Sequence, residues 1–225
     1  MVNSWIVNNY IDYIEVNFPN FFSKLSANEV EALKELYFLM NDFFVMGSCF
    51  DGVEYESVNF YNLLNEFKVY MSRILLIIPI NDKYLIDSLL RLLIEKLYRI
   101  LYAHFHPHLL EHSIRKHERR KMSVRLEGSL SKKKDLDDLY SAYSELVHHS
   151  NSNPTDLLNF RQLSDTNIDL IQYAAEKSGV LKEIFIVDFF MLKVSESQLN
   201  IASKMRLKNQ LTREAVIRLE NVNII

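Results

Sequence analysis

Arg91 and Glu95 stand four residues apart in a segment that is otherwise almost wholly apolar, and Asp87 and Arg99 extend the same spacing in both directions. Residues four apart are neighbours on a helix, so these alternating charges form one narrow stripe in which each reaches the next. Two readings follow. As a solvated seam, the stripe is a run of ion pairs worth roughly a few tenths of a kcal/mol each. As a polar lining facing a cleft or another subunit, it holds the Arg91 guanidinium through Glu95 and leaves it able to grip phosphate through parallel N–H donors.

A second concentration of charge lies downstream. Arg115, Lys116, Arg119, Arg120, Lys121, Arg125, Lys132, Lys133 and Lys134 fall close together on a chain whose formal net charge is −3. Such a local asymmetry can supply the phosphate contacts that dominate nucleic-acid affinity. It also fits a solvated surface loop, or a docking face for an acidic partner. No aromatic side chain interleaves the run, so base stacking is not expected there.

Histidines are the third signal. Five of the seven lie between His104 and His117, in a His-Phe-His-Pro-His run and its flank. The spacing matches no familiar metal-ligand pattern, so neither a metal nor another cofactor is expected, and a surface turn leading into a helix accounts for them. His148 stands apart, in the last turn of a predicted helix. The macrodipole favours a cation at that place without any catalysis. An imidazole also titrates near neutrality, which suits acid–base work.

The elements that must position these groups are helical. Only four glycines and four prolines punctuate 225 residues, far fewer than a β protein of this size needs for its turns. Ser4 starts a helix to about Asn17, with Pro19 beyond it. Ser26 and Glu29 form a capping box for a helix running to Met46, with Gly47 expected as its left-handed terminator. Ser57 opens a third helix that Pro79 closes, and Asn81 or Asp82 caps a fourth that reaches about His104. Asp135 to His149 has helical spacing, with Leu136, Leu139, Tyr140, Tyr143, Leu146 and Val147 on one broad face. Asn151-Ser152-Asn153-Pro154 stops it. Ser164-Asp165-Thr166 caps a helix expected to end at Gly179, and another follows to about Val194. Ser195 and Gln198 suggest a capping box for one last helix towards Leu219. Ile184 to Leu192 is apolar enough for a buried strand, although its flanks read as helix. The expected fold is all-α: a single multi-helix bundle over 1–225, with a core at about 81–153, N-terminal helices over 1–80 and C-terminal helices over 155–225. The aromatic residues of the N-terminal third, Phe21, Tyr37, Phe43 and Phe44 among them, are expected in the core.

Ser88-Leu89-Leu90-Arg91-Leu92-Leu93-Ile94-Glu95 on one helix, followed by Leu139-Tyr140-Ser141-Ala142-Tyr143-Ser144-Glu145-Leu146-Val147-His148-His149-Ser150-Asn151 on a later one, resembles the HEPN superfamily. The resemblance covers about Asn81 to Asn153 and implies a helical bundle that often works as a dimer. Some members are metal-independent endoribonucleases and others are interaction or RNA-binding modules, recurring in toxin–antitoxin and antiviral defence systems. For this chain the resemblance implies His148 as acid/base, Arg91 as phosphate ligand and Glu95 as its orienting partner, with Tyr143 and Glu145 in support. RNA or another nucleic acid is the implied partner, alongside a second copy or a larger protein assembly. The active family pattern places an arginine five to seven residues before the histidine. Here those positions are Tyr143, Ala142 and Ser141, so a catalytic site of this type needs Arg91, from the neighbouring helix, to point at His148 and Glu145. Arg99 and His104 have the spacing, but Ile100 follows the arginine where the pattern has a polar residue.

Other function classes recede. One cysteine cannot form an internal disulfide and suits a reducing compartment, so a cytoplasmic location is expected. The N-terminus has no basic stretch leading into an apolar one, and the longest apolar run, Ile74 to Ile80, is too short to cross a bilayer. No membrane role is expected.

Overall fold

The computed structural model describes residues 4–50, 58–105, 132–149, 168–196 and 199–225. Among them the regular structure is helical throughout, as the scarcity of turn residues implies. Helix α1 (Ser4–Asn17) is followed by a single turn, α2 (Pro19–Phe22), whose first residue is a proline that needs no N–H there. Helix α3 (Ala27–Ser48) starts at a complete capping box. The Glu29 N–H donates to Ser26 Oγ at 3.3 Å, and the Ser26 N–H donates to Glu29 Oε2 at 2.6 Å.

Gly47 does not terminate α3, which runs through it to Ser48. The glycine serves packing instead. A Cβ at this position would lie 2.9 Å from Cδ of Lys68, so its absence opens a path for the aliphatic part of that side chain. Helix α4 (Val58–Ile77) carries Lys68 and passes into a 3-10 turn, Ile78–Ile80, around Pro79. Asn81 then adopts a left-handed conformation, φ 59°, which asparagine tolerates better than most residues. Asp82 accepts from the Leu85 N–H at 3.2 Å and caps α5 (Lys83–Phe105).

Helix α6 (Lys133–His149) follows, and then α7 (Ile168–Ile184). Helix α7 does not stop at Gly179. It continues into a π-helical segment, Phe185–Phe190, and on into α8 (Met191–Glu196). The apolar stretch Ile184 to Leu192 is therefore helix and not strand, in keeping with its flanks. The single last helix expected towards Leu219 is two. Asn200 caps α9 (Ile201–Gln210) and Thr212 caps α10 (Arg213–Asn221), with Leu211 extended between them. The break has a tertiary cause. Asp42 on α3, fully buried, accepts from the Thr212 N–H at 2.8 Å and from its hydroxyl at 2.7 Å, which draws that residue out of helical geometry. Lys182 Nζ lies 3.4 Å from the same carboxylate, yet burial still pushes the Asp42 carboxyl above its ordinary range.

The centre of the bundle is aromatic. Phe185 stacks on Phe67 with centroids 5.6 Å apart, and Phe43 meets both edge-on, at 5.5 and 5.7 Å. Phe189 and Phe190 close on Phe50, at 5.6 and 5.4 Å. These edge-to-face and offset contacts suit the ring quadrupoles and add to the burial term. The expected N-terminal aromatic core thus holds for Phe21 and Phe43, whereas Phe44 is exposed.

Candidate functional site

Helix α6 is held differently from the rest. Among its described side chains Leu136 and Tyr143 are buried in the core, and Leu139 and Tyr140 pack against it. Beside this apolar contact runs a ladder of polar ones. At its start, the Lys132 N–H donates to both oxygens of Asp188, each at 3.0 Å. Asp188 is buried in the π-helical segment, so a carboxylate from another element meets an orphan N–H at the positive end of α6.

One turn on, Asp137 accepts from the Tyr98 hydroxyl of α5. The central rung is Arg91. Its Nε donates to Ser144 Oγ at 3.0 Å, its Nη2 to the Tyr140 hydroxyl at 2.7 Å, and its Nη1 to Glu95 Oε2 at 3.1 Å. The guanidinium carbon also lies 4.0 Å from the centre of the Tyr140 ring, and that ring meets Tyr98 edge-on at 5.6 Å.

The last rung joins three helices. Tyr173 of α7 donates to Asp87 Oδ1 at 2.6 Å, and its oxygen lies 2.8 Å from the Tyr143 hydroxyl. Because Tyr173 spends its proton on Asp87, Tyr143 is the donor in the pair. Lys83 Nζ completes the group, 2.6 Å from Asp87 Oδ2 and 4.5 Å from the centre of the Tyr173 ring. Burial pushes the Tyr143 hydroxyl up to about 12. Tyr173 moves the same way, first through burial and then through its bond to Asp87. Both are neutral donors at physiological pH.

These pairings run 98 to 137, 91 to 140 and 144, and 87 towards 143, so α5 and α6 are antiparallel. The charged stripe is therefore neither a solvated seam nor the wall of an open cleft. Asp87 is 6 % exposed and the Arg91 side chain 15 %, both turned towards α6 and α7. Glu95, half-exposed, is its outer edge.

The structure brings Arg91 and Glu95 together as the sequence suggests. It places Tyr143 on the Asp87–Tyr173 rung and not against Arg91. Glu145 points to solvent on α6, in contact with neither rung. His148 lies in the last turn of α6, one turn beyond Ser144, and its side chain is outside the described residues. Of the basic run, Arg115, Lys116, Arg119, Arg120, Lys121 and Arg125 lie outside the described residues, as do the histidines from His106 to His117. Lys132 pairs with Asp135 at 3.6 Å, Lys133 begins α6, and Lys134 is exposed. Among the described residues no group of three or more His, Cys, Asp or Glu side chains converges on a metal position. Nor is any helix among them long and apolar enough to cross a membrane.

Sequence reasoning missed Ser144, Tyr173 and the hydroxyl of Tyr140. Ser144 stands four residues after Tyr140, which was assigned to the core face, so a polar atom recurring at that spacing was the available signal. Nothing local marks Tyr173, whose partners lie 30 and 86 residues away.

Chemically, the central rung is an oriented cation. Arginine has five N–H donors. Three are committed, to Ser144, Tyr140 and Glu95, and each terminal nitrogen keeps one more. The remaining pair is fixed in direction by the bonds already made, which suits it to an oxyanion arriving at the outer edge of the seam. Comparison with family models, curated proteins and solved structures finds no match to this chain.

Proposed function

We propose that this protein is an RNA-directed helical component of HEPN type, working in the cytoplasm as a homodimer or as one subunit of a bacterial defence or toxin-type assembly. The observation that carries this reading is the Arg91 rung. A guanidinium from α5 is pinned to α6 by Ser144 and Tyr140, on the same helix and one turn from His148. In this reading Arg91 stands in, from the neighbouring helix, for the arginine missing before His148. In this reading Arg91 receives an RNA phosphate and Glu95 holds it in direction. The basic run from Arg115 to Lys134 supplies further phosphate contacts along the strand. Where cleavage follows, His148 takes the proton of the 2′-hydroxyl as that oxygen attacks phosphorus, or returns one to the departing 5′-oxygen. No metal enters the scheme.

The test is incubation of purified protein with end-labelled RNA beside His148→Ala and Arg91→Met variants. Cleavage by the wild type that falls in both variants is the expected outcome. Cleavage retained equally by all three removes these residues from the reaction. Binding is followed separately by fluorescence anisotropy across a salt series, with Arg119, Arg120 and Lys121 changed to glutamate. Loss of affinity and a shallower salt dependence are expected in that variant.

One observation favours a second reading, a non-catalytic subunit that docks a larger partner. Three of the five Arg91 donors already serve the fold, so the rung accounts for its own presence without any substrate. RNA that is neither bound nor cut by the wild type leaves this reading standing alone.

A further inference from the structure

A separate cavity lies on α3, α4 and α9, helices that supply none of the rungs of the Arg91 seam. Its volume is about 460 Å³, within the range of small-molecule sites. Its floor is one stripe of α3, including Met40, Phe44 and Val45, with Leu75 of α4 beside it. Arg206 and Gln210 of α9 form one edge. Asn41 is committed there, donating to the Gln210 carbonyl at 2.9 Å. Arg206 is not. Its one bond is a long one, Nη1 to the Ser48 carbonyl at 3.4 Å, and no carboxylate among the described residues pairs with it.

Helix α9 has no acidic residue to neutralise Arg206, the one cation among the residues that line the cavity. A second cation stands close by: Lys68, threaded past Gly47, places Nζ 5.7 Å from the centre of the Phe44 ring. Tyr37 also lines the cavity, its ring fixed by stacking on Tyr10 at 5.3 Å. An apolar floor edged by a guanidinium with no carboxylate partner among the described residues is complementary to a molecule that is greasy along its length and anionic at one end.

We propose that this cavity binds a small aliphatic carboxylate, with its chain over Met40, Phe44, Val45 and Leu75 and its carboxylate on Arg206. The probe is decanoate, held below its micelle concentration and titrated into the full chain by isothermal calorimetry. Decanol, which keeps the chain and lacks the charge, is the comparison. Saturable one-to-one binding of decanoate is expected. Decanol should bind about tenfold more weakly or worse, and Arg206→Gln should weaken decanoate by a similar factor while leaving decanol unchanged. Arg206 is exposed, so its replacement leaves the core intact. Ser72→Phe, which fills the cavity from the α4 side, should abolish binding of both. Absence of saturable decanoate binding overturns the proposal. Equal affinity for decanoate and decanol, or indifference of decanoate to Arg206→Gln, overturns it as well. Decanoate binding that survives Ser72→Phe with unchanged affinity places the ligand elsewhere and also overturns it.

Discussion

The packing of α4 against the π-helical segment is made of rings, whereas that of α5 against α6 adds hydroxyls, carboxylates and a guanidinium to its apolar contacts. In the first region Phe43, Phe67, Phe185 and Phe189 bury large apolar surfaces and ask only for shape. In the second, each rung demands a particular donor opposite a particular acceptor. Apolar burial is non-directional and supplies most of the free energy. Hydrogen bonds return little net energy but penalise any arrangement that leaves one unmade. The aromatic region therefore governs whether the chain folds, and the polar ladder governs where α6 sits once it has.

The sharpest test is the largest truncation. Phe185→Ala is expected to cost about 3–5 kcal/mol, read from urea unfolding, since the ring is buried and touches Phe43, Phe67 and Phe189. Arg91→Met keeps much of the volume and removes the bonds to Ser144, Tyr140 and Glu95. About 1–3 kcal/mol is expected, and a double-mutant cycle with Tyr140→Phe should show coupling of about 0.5 kcal/mol or more. A cost for Arg91→Met as great as that for Phe185→Ala would break the distinction between the two regions.

Alkaline pH separates them more finely. The Tyr143 hydroxyl is pushed up to about 12 in the fold, against about 10 in an unfolded chain. A raised value means stability fully present below about pH 10 and lost as pH climbs towards about 12. Tyr173 acts in the same direction. Melting temperature should hold steady to about pH 10 and then fall, and Tyr143→Phe should blunt the fall. An unchanged profile in that variant would remove Tyr143 from the titrating rung. The smallest effect expected is that of Ser144→Ala, about 1 kcal/mol, because Arg91 keeps its other partners.

Much of the framework was legible in residue order. The capping box at Ser26, the stop at Pro79 and the cap at Asp82 act locally, and the structure uses each of them. Where the reading failed, the deciding contact came from far along the chain. Gly47 looks like a helix stop until Lys68 arrives beside it. The break between α9 and α10 needs Asp42, 170 residues earlier. The candidate site divides in the same way. The four-residue spacing of Asp87, Arg91 and Glu95 is intrinsic to one helix, so the stripe could be drawn from sequence. What faces it belongs to α6 and α7, and the π-helical geometry of Phe185–Phe190 has no residue pattern that announces it.

Asp188 grips α6 through a main-chain N–H. That bond is blind to which side chain stands at position 132, provided it is not proline. The border between the basic run and the helix can thus change its charge over evolutionary time while the anchorage persists. Selection on whatever those cations touch is uncoupled, at that residue, from selection on the scaffold.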